Sequence, residues 1–392
     1  MPPSTTAART KPQLVVTPVT ADDAAVLAPF FREAWEAEAT EASVRTWMQE
    51  VSAANVTTPG SLPPAMAARL EGRIIGYCGS LPARWWSPAG ERRGYWAKGL
   101  MVLPEHRAGP IGFLVLQRLA RAMELSAAVT VHPASRRLFE GVGYRDLGAM
   151  PNYVYPLRAG RMAARLDLRQ LPLGGVPAAL RTSAALAQRV GVARAGGALV
   201  GVGLALASTW RAAAPGLRVR LEARPTAADL DALWARMRPG VDAGTMRDAA
   251  GLLPRYGDGA THTPYRWALV LRDASVVGAA VVRVPGAYAD PRLRGVTVAA
   301  VAEAHFDLRD AAAGRATLWA AARLARRLGA DAALASGTHR AFGAAARAIG
   351  YLPVAGNIHV FLRDAAPASP PFPELLDAWW LTRGDGESDA NF

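Results

Sequence analysis

The chain has 392 residues, more than one average hydrophobic core requires, so two domains are expected. Hydrophobic residues make up 51% of it and charged residues 20%, which excludes a chain that is disordered throughout. The formal net charge of +13 comes almost wholly from arginines, which are scattered rather than clustered. This distribution argues against a nucleic-acid interface, and it fits an anionic small molecule such as a nucleotide cofactor.

The single cysteine, Cys78, excludes intrachain disulfides and a cysteine-based zinc site. The first residues, Met1 to Lys11, are polar and do not resemble a secretory signal. Together these features predict a reducing, cytoplasmic location and a mobile tail over residues 1–12.

The first half of the chain alternates between strand and helix patterns. A strand comes first, a helix opens near Asp22, and three strands joined by turns predict an antiparallel meander. An amphipathic helix, a strand, a helix stopped by Gly143 and a closing strand follow. The predicted strands are 14–19, 65–70, 73–81, 92–103, 127–131 and 154–157, and the later helices are 111–125 and 134–142.

The second half repeats this order of elements. Thr226 is a suitable cap for a helix over 227–237, and the halves share a helix-glycine-aromatic ending, Gly143-Tyr144 and Gly350-Tyr351. An internal duplication is therefore predicted. The predicted strands are 217–223, 267–271, 276–284, 295–306 and 332–335, and the remaining helices are 316–328 and 340–349.

These elements predict an α/β fold of two domains, each a central mixed β-sheet flanked by helices. The first domain is expected over 13–158 and a degenerate copy over 217–364, with a helical connector over 159–216 and a C-terminal tail over 365–392. Within the connector, Ala195 to Trp210 carries no charge and falls short of the roughly 20 residues that a spanning helix needs. It is interpreted as a buried or bridging helix, with contact to a membrane surface as the alternative.

An anion site is predicted where the strand ending at Pro104 leads into the turn Arg107 to Gly112 and then a helix. The first N–H groups of a helix have no intrahelical partner, and the helix dipole is positive at that end. Gly109 and Gly112 allow a ligand to approach the backbone closely, and Arg107 adds positive charge.

The segment LMVLPEHRAGPIGFLVLQRLAR resembles the acyl-CoA motif of the GNAT superfamily of N-acyltransferases, in which such a turn cradles the CoA pyrophosphate. The segment HPASRRLFEGVGYRDLG resembles the family's second motif. The resemblance covers about residues 13–158, whereas residues 217–363 resemble the family by element order and by the Gly350-Tyr351 ending.

This resemblance implies roles for individual residues. Backbone groups of three strand residues would bond the pantetheine arm, the turn would hold the pyrophosphate, and the family's proton-donating tyrosine falls at Phe139. The cofactor-binding set is thus Leu100, Met101, Val102, Arg107, Ala108, Gly109, Pro110, Ile111, Gly112 and Phe139.

Two positions depart from the family pattern. Phe139 cannot donate a proton, so a general acid must come from elsewhere or be absent. Pro110 removes one N–H from the phosphate turn. Glu105, His106 and His132 are candidate bases, although Glu105 could be a solvated residue and His132 could cap the helix that follows.

The second half has acidic residues where the first has its phosphate turn. Asp307 and Asp310 near a helix N-terminus would repel a pyrophosphate, so this half is not expected to bind CoA. Glu303, His305 and Asp307 alternate along one strand face. They form either a polar cleft for the acceptor, with Glu303 and His305 as acceptor-side catalytic groups, or a hydrogen-bonded network or exposed edge. No metal site is expected.

The resemblance implies an acyl-CoA-dependent N-acyltransferase, with acetyl-CoA as the expected donor and a small-molecule amine as the acceptor. The alternative is a catalytically inactive CoA-binding or scaffold module, linked to polysaccharide or cell-wall assembly. A third hypothesis, amino-acid transfer from charged tRNA by a related duplicated fold, would suit the basic charge but has no motif behind it. The acceptor's identity and the oligomeric state are left open by the sequence.

Overall fold

A computed structural model describes residues 13–34, 38–53, 55, 57–129, 131–165, 192–257, 265–285, 295–356, 358–367 and 370–386. The predicted tail over 1–12 lies outside these residues, as does part of the predicted connector, 166–191. The chain divides into two compact units: unit 1 holds residues 1–83, 93–146 and 361–366, and unit 2 holds 84–92, 147–360 and 367–392.

Unit 1 is built on a mixed sheet whose strands run in the order β1-β2-β3-β4-β5-β15. Its strands are β1 (Leu14–Pro18), β2 (Met66–Leu70), β3 (Arg73–Ser87), β4 (Gly90–Val102), β5 (Leu125–Ala128) and β15 (His359–Asp364), and β6 (Arg145–Ala149) follows β15 in the sheet. Its helices are α1 (Ala24–Ala34), α2 (Glu41–Ala53), α3 (Ile111–Arg121) and α4 (Arg136–Gly141).

The core of unit 1 contains buried apolar residues of this sheet and of its helices. Ile75 and Cys78 on β3 are buried, as are Val115, Leu116 and Leu119 on α3. The α3 residues recur at intervals of three and four, so they form one apolar stripe that packs on the sheet. Burial raises the pKa of the Cys78 thiol to about 12.

Unit 2 contains a seven-stranded sheet in the order β14-β7-β13-β12-β11-β10-β8. The strands of unit 2 are β7 (Asn152–Pro156), β8 (Leu217–Leu221), β9 (Ala243–Thr245), β10 (Tyr265–Arg272), β11 (Ser275–Arg283), β12 (Val298–Phe306), β13 (Ala332–Ser336), β14 (Leu352–Val354) and β16 (Trp379–Trp380). Its helices are α5 (Ala159–Arg165), α6 (Val192–Ala212), α7 (Ala227–Met237), α8 (Ala249–Tyr256), α9 (Ala311–Arg327) and α10 (Arg340–Ala348).

The two sheets exchange strands. β7 lies at the end of the predicted first domain, yet it pairs with β13 and β14 in unit 2. Conversely, Phe361 to Asp364 of β15 pair antiparallel with Leu125 to Ala128 of β5 in unit 1. The sequence predicted that the strand near 154–157 closes the first domain, and this is wrong, because a strand's pattern does not specify which sheet it joins.

The domain boundaries differ from the predicted ones for the same reason. The first segment of unit 1 ends within the β3–β4 hairpin, whose tip, 84–92, belongs to unit 2, where Trp85 and Trp86 pair with β9. The described parts of the predicted connector, α5 and α6, belong to unit 2, as does the C-terminal segment from 367 onward. By length and composition, α6 is the one helix in the described ranges that could cross a membrane.

Candidate functional site

A V-shaped opening lies between two neighbouring strands of unit 1. β4 and β5 pair in parallel at Tyr95–Ser126 and Trp96–Ala127, and within the described residues β4 does not pair with β5 beyond Trp96. Gly99 has a φ of +68°, which interrupts the regular strand. Leu103 N still donates to Ile75 O at 3.0 Å, so β4 remains held by β3 on its other side. Over Leu100 to Val102, the end of β4 therefore has no recorded pairing with β5 among the described residues, and an extended ligand could bond the backbone there.

The end of this opening is the turn that leads into α3. Arg107, Ala108, Gly109 and Pro110 are all exposed, and α3 begins at Ile111. Pro110 is the N-cap residue, and no described side chain caps the helix there. The first N–H groups of α3 are thus left for an external acceptor, at the positive end of the helix dipole.

Arg107 and Gly112 shape this turn. Arg107 Nε donates to Val102 O at 3.0 Å, which ties the side chain to the end of β4 and leaves its two terminal nitrogens available. A Cβ on Gly112 would lie 3.4 Å from Leu138 Cδ1 and 3.6 Å from Val102 Cγ2. A small residue therefore fits at position 112, whereas a large one would fill the space between strand end and α4.

The strand residues predicted to bond the pantetheine arm, Leu100, Met101 and Val102, lie along the open part of β4 and are half-buried. The structure thus brings together the strand, the turn and the helix N-terminus that the sequence predicted as one site. Phe139 is 4% exposed and belongs to the core cluster of unit 1 against which these strand residues pack. Its ring centroid lies 5.1 Å from that of Tyr144 and 5.8 Å from that of Phe361.

The candidate bases of unit 1 have ordinary structural roles. Glu105 is exposed and lies 3.4 Å from the guanidinium of Arg73, which also pairs with Glu33. His132 caps the short 3₁₀ helix Pro133–Ser135, and its Nδ1 accepts from Ala134 N at 3.2 Å. The capping alternative is therefore the one that the structure supports for His132.

The corresponding helix N-terminus in unit 2 is already occupied by the protein's own carboxylate. Asp310 Oδ1 accepts from Ala312 N at 3.1 Å and from Ala313 N at 3.0 Å. Its other oxygen accepts from Arg272 at 2.5 Å. Burial raises the pKa of Asp310, but the hydrogen bonds from Ala313 and Arg272 outweigh it and hold the pKa below its ordinary value. The expectation that acidic residues disfavour a pyrophosphate here is supported.

The opening between the equivalent strands of unit 2 is filled by the C-terminal segment. β12 and β13 pair in parallel from Val298–Ala332 to Val301–Ala335. Beyond that point Gly384 N donates to Ala302 O at 2.7 Å, and Gly337 pairs with Thr382. Within its described residues, unit 2 therefore has neither an open strand end nor an uncapped helix N-terminus at the corresponding place.

Glu303 and His305 are buried inside unit 2 and do not line a cleft. Each is 1% exposed. Glu303 accepts from Tyr256 Oη at 2.9 Å and from Thr382 Oγ1, and the Arg247 guanidinium lies 3.6 Å away. The acceptor-side role predicted for them is thus not supported. Glu303 lies in a hydrogen-bonded network, which was the alternative, whereas neither ring nitrogen of the buried His305 has a hydrogen-bond partner among the described residues. The sequence did not distinguish a cleft from a buried network, because alternation along a strand specifies which face a residue is on and not what packs against that face.

The charges of this network compensate one another. Burial raises the pKa of Glu303, while the neighbouring Arg247 opposes that shift. Burial also lowers the pKa of His305 well below its ordinary value, with a further contribution from Arg247. Arg247 in addition pairs with Asp385, which accepts from Thr245 Oγ1 at 2.6 Å.

Sequence reasoning missed Arg363, which lies on the exchanged strand β15. Its guanidinium donates to Ala120 O and Met123 O, both at 2.8 Å, at the C-terminal end of α3. A cation there satisfies free carbonyls and complements the negative end of the helix dipole. Nothing in the sequence near position 363 indicates this contact, because it depends on the strand exchange.

No family model and no curated protein matches the chain. Among solved structures, it is similar to a GCN5-related N-acetyltransferase from Anabaena variabilis, with 10% sequence identity and a TM-score of 0.55. The match covers 90% of this chain and 73% of the Anabaena protein. The chain has the GNAT fold. Saccharomyces cerevisiae N-myristoyltransferase with bound myristoyl-CoA is similar at 12% identity, with 90% and 84% of the chains covered and a TM-score of 0.54.

A third similar structure is a probable N-acyltransferase from Enterococcus faecalis, described as a conserved protein of unknown function, with 8% identity and a TM-score of 0.53. The match covers 90% of this chain and 72% of that one. The predicted fold class, mixed α/β with two helix-flanked sheets, is confirmed, and at these identities the likeness extends to the fold alone.

Proposed function

We propose that the chain is an acyl-CoA-dependent N-acyltransferase whose unit 1 binds the acyl-CoA. The observation that carries this proposal is the joint presence, in one unit, of the Leu100 to Val102 end of β4, for which no pairing with β5 is recorded in the described residues, and the N-terminus of α3, which has no described side-chain cap. A pantetheine arm carries amides that can bond a strand edge, and a pyrophosphate is an anion suited to free helix N–H groups.

Arg107 strengthens the anion site. Its Nε bond to Val102 O fixes the side chain beside the turn, so the remaining guanidinium nitrogens can reach a phosphate without much further ordering. Pro110 contributes no N–H, and the pyrophosphate would rest on the groups that follow it in α3. The similar N-myristoyltransferase structure contains myristoyl-CoA, which supports this class of donor.

The proposed reaction is direct transfer of the acyl group to an amine. The amine nitrogen forms a bond to the thioester carbonyl carbon, the carbon–sulfur bond breaks, and CoA leaves as the thiol while the amine loses a proton. The buried Phe139 ring cannot protonate the leaving thiolate. Protonation by solvent is therefore proposed for this chain, with acetyl-CoA as donor and an amine acceptor of unspecified identity.

Thermal unfolding with and without millimolar acetyl-CoA tests the binding step. A ligand at one hundred times its Kd adds about 2.7 kcal/mol to the free energy of unfolding, which raises the Tm by several degrees. Gly112→Trp fills the space beside Val102 and should abolish the shift, and Arg107→Gln should reduce it. No shift in the wild-type chain would refute the proposal.

Ala311→Trp serves as the control in unit 2. Ala311 is exposed and is the first residue of α9, so it corresponds to Ile111, the residue before Gly112 in α3. It should leave the shift unchanged because unit 2 is not proposed to bind CoA. The Tm of each variant without ligand shows whether the substitution has disturbed folding.

A catalytically inactive CoA-binding module is the second candidate. It is favoured by Phe139, which stands where the resembled family has its proton-donating tyrosine, and by the ion pair of Glu105 with Arg73, which leaves that candidate base unsupported. Release of free thiol from acetyl-CoA, measured with a panel of amines, separates the two candidates. The protein's own thiol gives little background, because Cys78 is buried.

A further inference from the structure

The outer face of α6 is a continuous apolar surface. Its large hydrophobic side chains are exposed by 59% to 79%, and they are Val192, Leu199, Val200, Val202, Leu206 and Trp210. Val192, Leu199, Leu206 and Trp210 follow one another at intervals of seven, seven and four, so they lie along one side of the helix. The uncharged stretch Ala195 to Trp210 is about 24 Å long.

The opposite face of α6 is fixed to unit 2. Ser208 and Ala212 are buried, Tyr155 Oη donates to Ser208 Oγ at 2.8 Å, and Ser208 Oγ donates to Ile349 O at 2.6 Å. Near its start the helix packs closely on α5, where a Cβ on Gly197 would lie 2.8 Å from Ala159 O. Because these contacts hold the inner face, α6 can present its outer face to a surface but cannot cross a bilayer without leaving unit 2.

Positive charge surrounds this face. Arg194 and Arg211 bound the uncharged stretch, and the helix contains no Asp or Glu. A cavity of about 410 Å³ lies beside α6, lined by Gly201 and Ala205 of the helix and by Arg323 and Arg326 of α9. In the described part of the chain neither Arg323 nor Arg326 forms a salt bridge, and both are exposed.

We infer that α6 is an interfacial helix that docks the protein on an anionic phospholipid bilayer. Its apolar face would enter the boundary between headgroups and acyl chains, with Trp210 at the level of the headgroups, where an indole ring is favoured. The flanking arginines and the arginine-lined cavity would bind lipid phosphates. Large apolar side chains along one helix face, with Arg194 and Arg211 near its ends, have this chemistry, whereas a soluble partner's surface would require polar groups to complement its rim.

Cosedimentation of the full chain with large unilamellar vesicles tests this inference. The vesicles contain either phosphatidylcholine alone or equal parts of phosphatidylcholine and phosphatidylglycerol, at low and at physiological salt. The wild-type chain should sediment with the anionic vesicles, and its binding to them should weaken as the salt concentration rises. Leu199→Gln combined with Leu206→Gln should lower binding more than about tenfold, since the burial of one leucine is worth at least that factor.

Leu375→Gln is the matched control, because Leu375 is 72% exposed and lies outside α6. It should bind like the wild-type chain. Arg323→Gln and Arg326→Gln should each weaken binding to the anionic vesicles by about fivefold, whereas Arg121→Gln at the end of α3 should not. All these positions are exposed, so the Tm in solution should stay unchanged in each variant.

Three results would overturn the inference. The wild-type chain could fail to sediment with anionic vesicles, or Leu375→Gln could lose as much binding as the α6 variant. Sedimentation equilibrium without lipid could also show a dimer that the α6 variant abolishes, which would assign the face to a second copy of the chain. None of these measurements involves CoA, so the outcome is independent of the proposed acyltransferase function.

Discussion

Removal of the Asp310 side chain tests how unit 2 satisfies the N-terminus of α9. In Asp310→Ala the N–H groups of Ala312 and Ala313 lose the carboxylate oxygen that lies 3.1 and 3.0 Å away. The Arg272 guanidinium loses its partner at the same time. We expect the variant to fold and to be less stable than the wild-type chain at neutral pH.

The magnitude follows from these two contributions. Replacement of a capping Asp by Ala costs about 0.5–2 kcal/mol. The Arg272–Asp310 pair is partly solvated, with side chains 39% and 21% exposed, so it adds no more than about 1 kcal/mol. The total is about 0.5–3 kcal/mol, which lowers the Tm of unit 2 by about 1–12 °C. Arg272→Gln keeps the Asp310 cap and removes the ion pair together with the Arg272 bond to Pro215 O, and it should show the smaller loss of stability.

The pH dependence has a defined sign. The pKa of Asp310 is lowered in the folded state, so its contribution is present above the unfolded pKa and is lost as pH falls through the folded pKa. Hydrogen exchange in the first turn of α9 and the Tm of both chains, compared between pH 7 and pH 2.5, measure it. Equal stability at pH 7, or a difference of the same size at both pH values, would refute the reasoning.

Four further outcomes follow from the packing of the two units. Arg363→Ala should destabilise unit 1 by about 2–4 kcal/mol, because two carbonyls at the end of α3 lose a charged donor, and Arg363→Lys should recover part of this in urea unfolding. Phe139→Ala should cost about 3–5 kcal/mol by calorimetry as a core cavity. Arg247→Met should cost about 3–5 kcal/mol, since it leaves buried carboxylates uncompensated; normal stability would contradict this. Cys78 should react with Ellman's reagent at pH 8 only after denaturation.

Local patterns were sufficient to predict many of the elements. The helix over 227–237 was predicted at its observed bounds, and the predicted cap is real, since Thr226 Oγ1 accepts from Asp229 N at 3.1 Å. β8, β10 and β11 also lie within about two residues of their predicted ranges. These elements have strong periodicity and clear end signals, which depend on neighbouring residues alone.

Features that depend on distant residues were not predicted. The exchange of β7 and β15 has no local signal, because the residues of either strand alone would suit either position, β7 between β13 and β14 or β15 between β5 and β6. Helices α2 and α8 were missed as well; α8 contains Pro254, which obscures a helical pattern. The plug of the unit 2 opening by Gly384 and its neighbours comes from a segment that the sequence indicated only as a tail.

The candidate site shows the same division. Its turn was predicted because Arg107 to Gly112 are contiguous, and a strand–turn–helix unit can be recognised from its own residues. The burial of Phe139, Glu303 and His305 could not be predicted, because it depends on what packs over them. The sequence around a polar strand residue is the same whether that residue lines a cleft or belongs to a buried network.

The helices α3 and α9 occupy the same place in the element order. At the N-terminus of each, the first N–H groups place the same demand, a hydrogen-bond acceptor that is preferably negative. In α9 the demand is satisfied internally by Asp310, while α3 begins after Pro110 without a described side-chain cap. An uncapped helix end is tolerable where solvent or an anionic ligand can reach it, and the exposed turn from Arg107 to Pro110 allows that access. The two helix ends therefore differ in the source of the negative charge. In unit 2 the Asp310 carboxylate already supplies it, which gives a physical reason why unit 2 need not bind the anionic ligand proposed for unit 1.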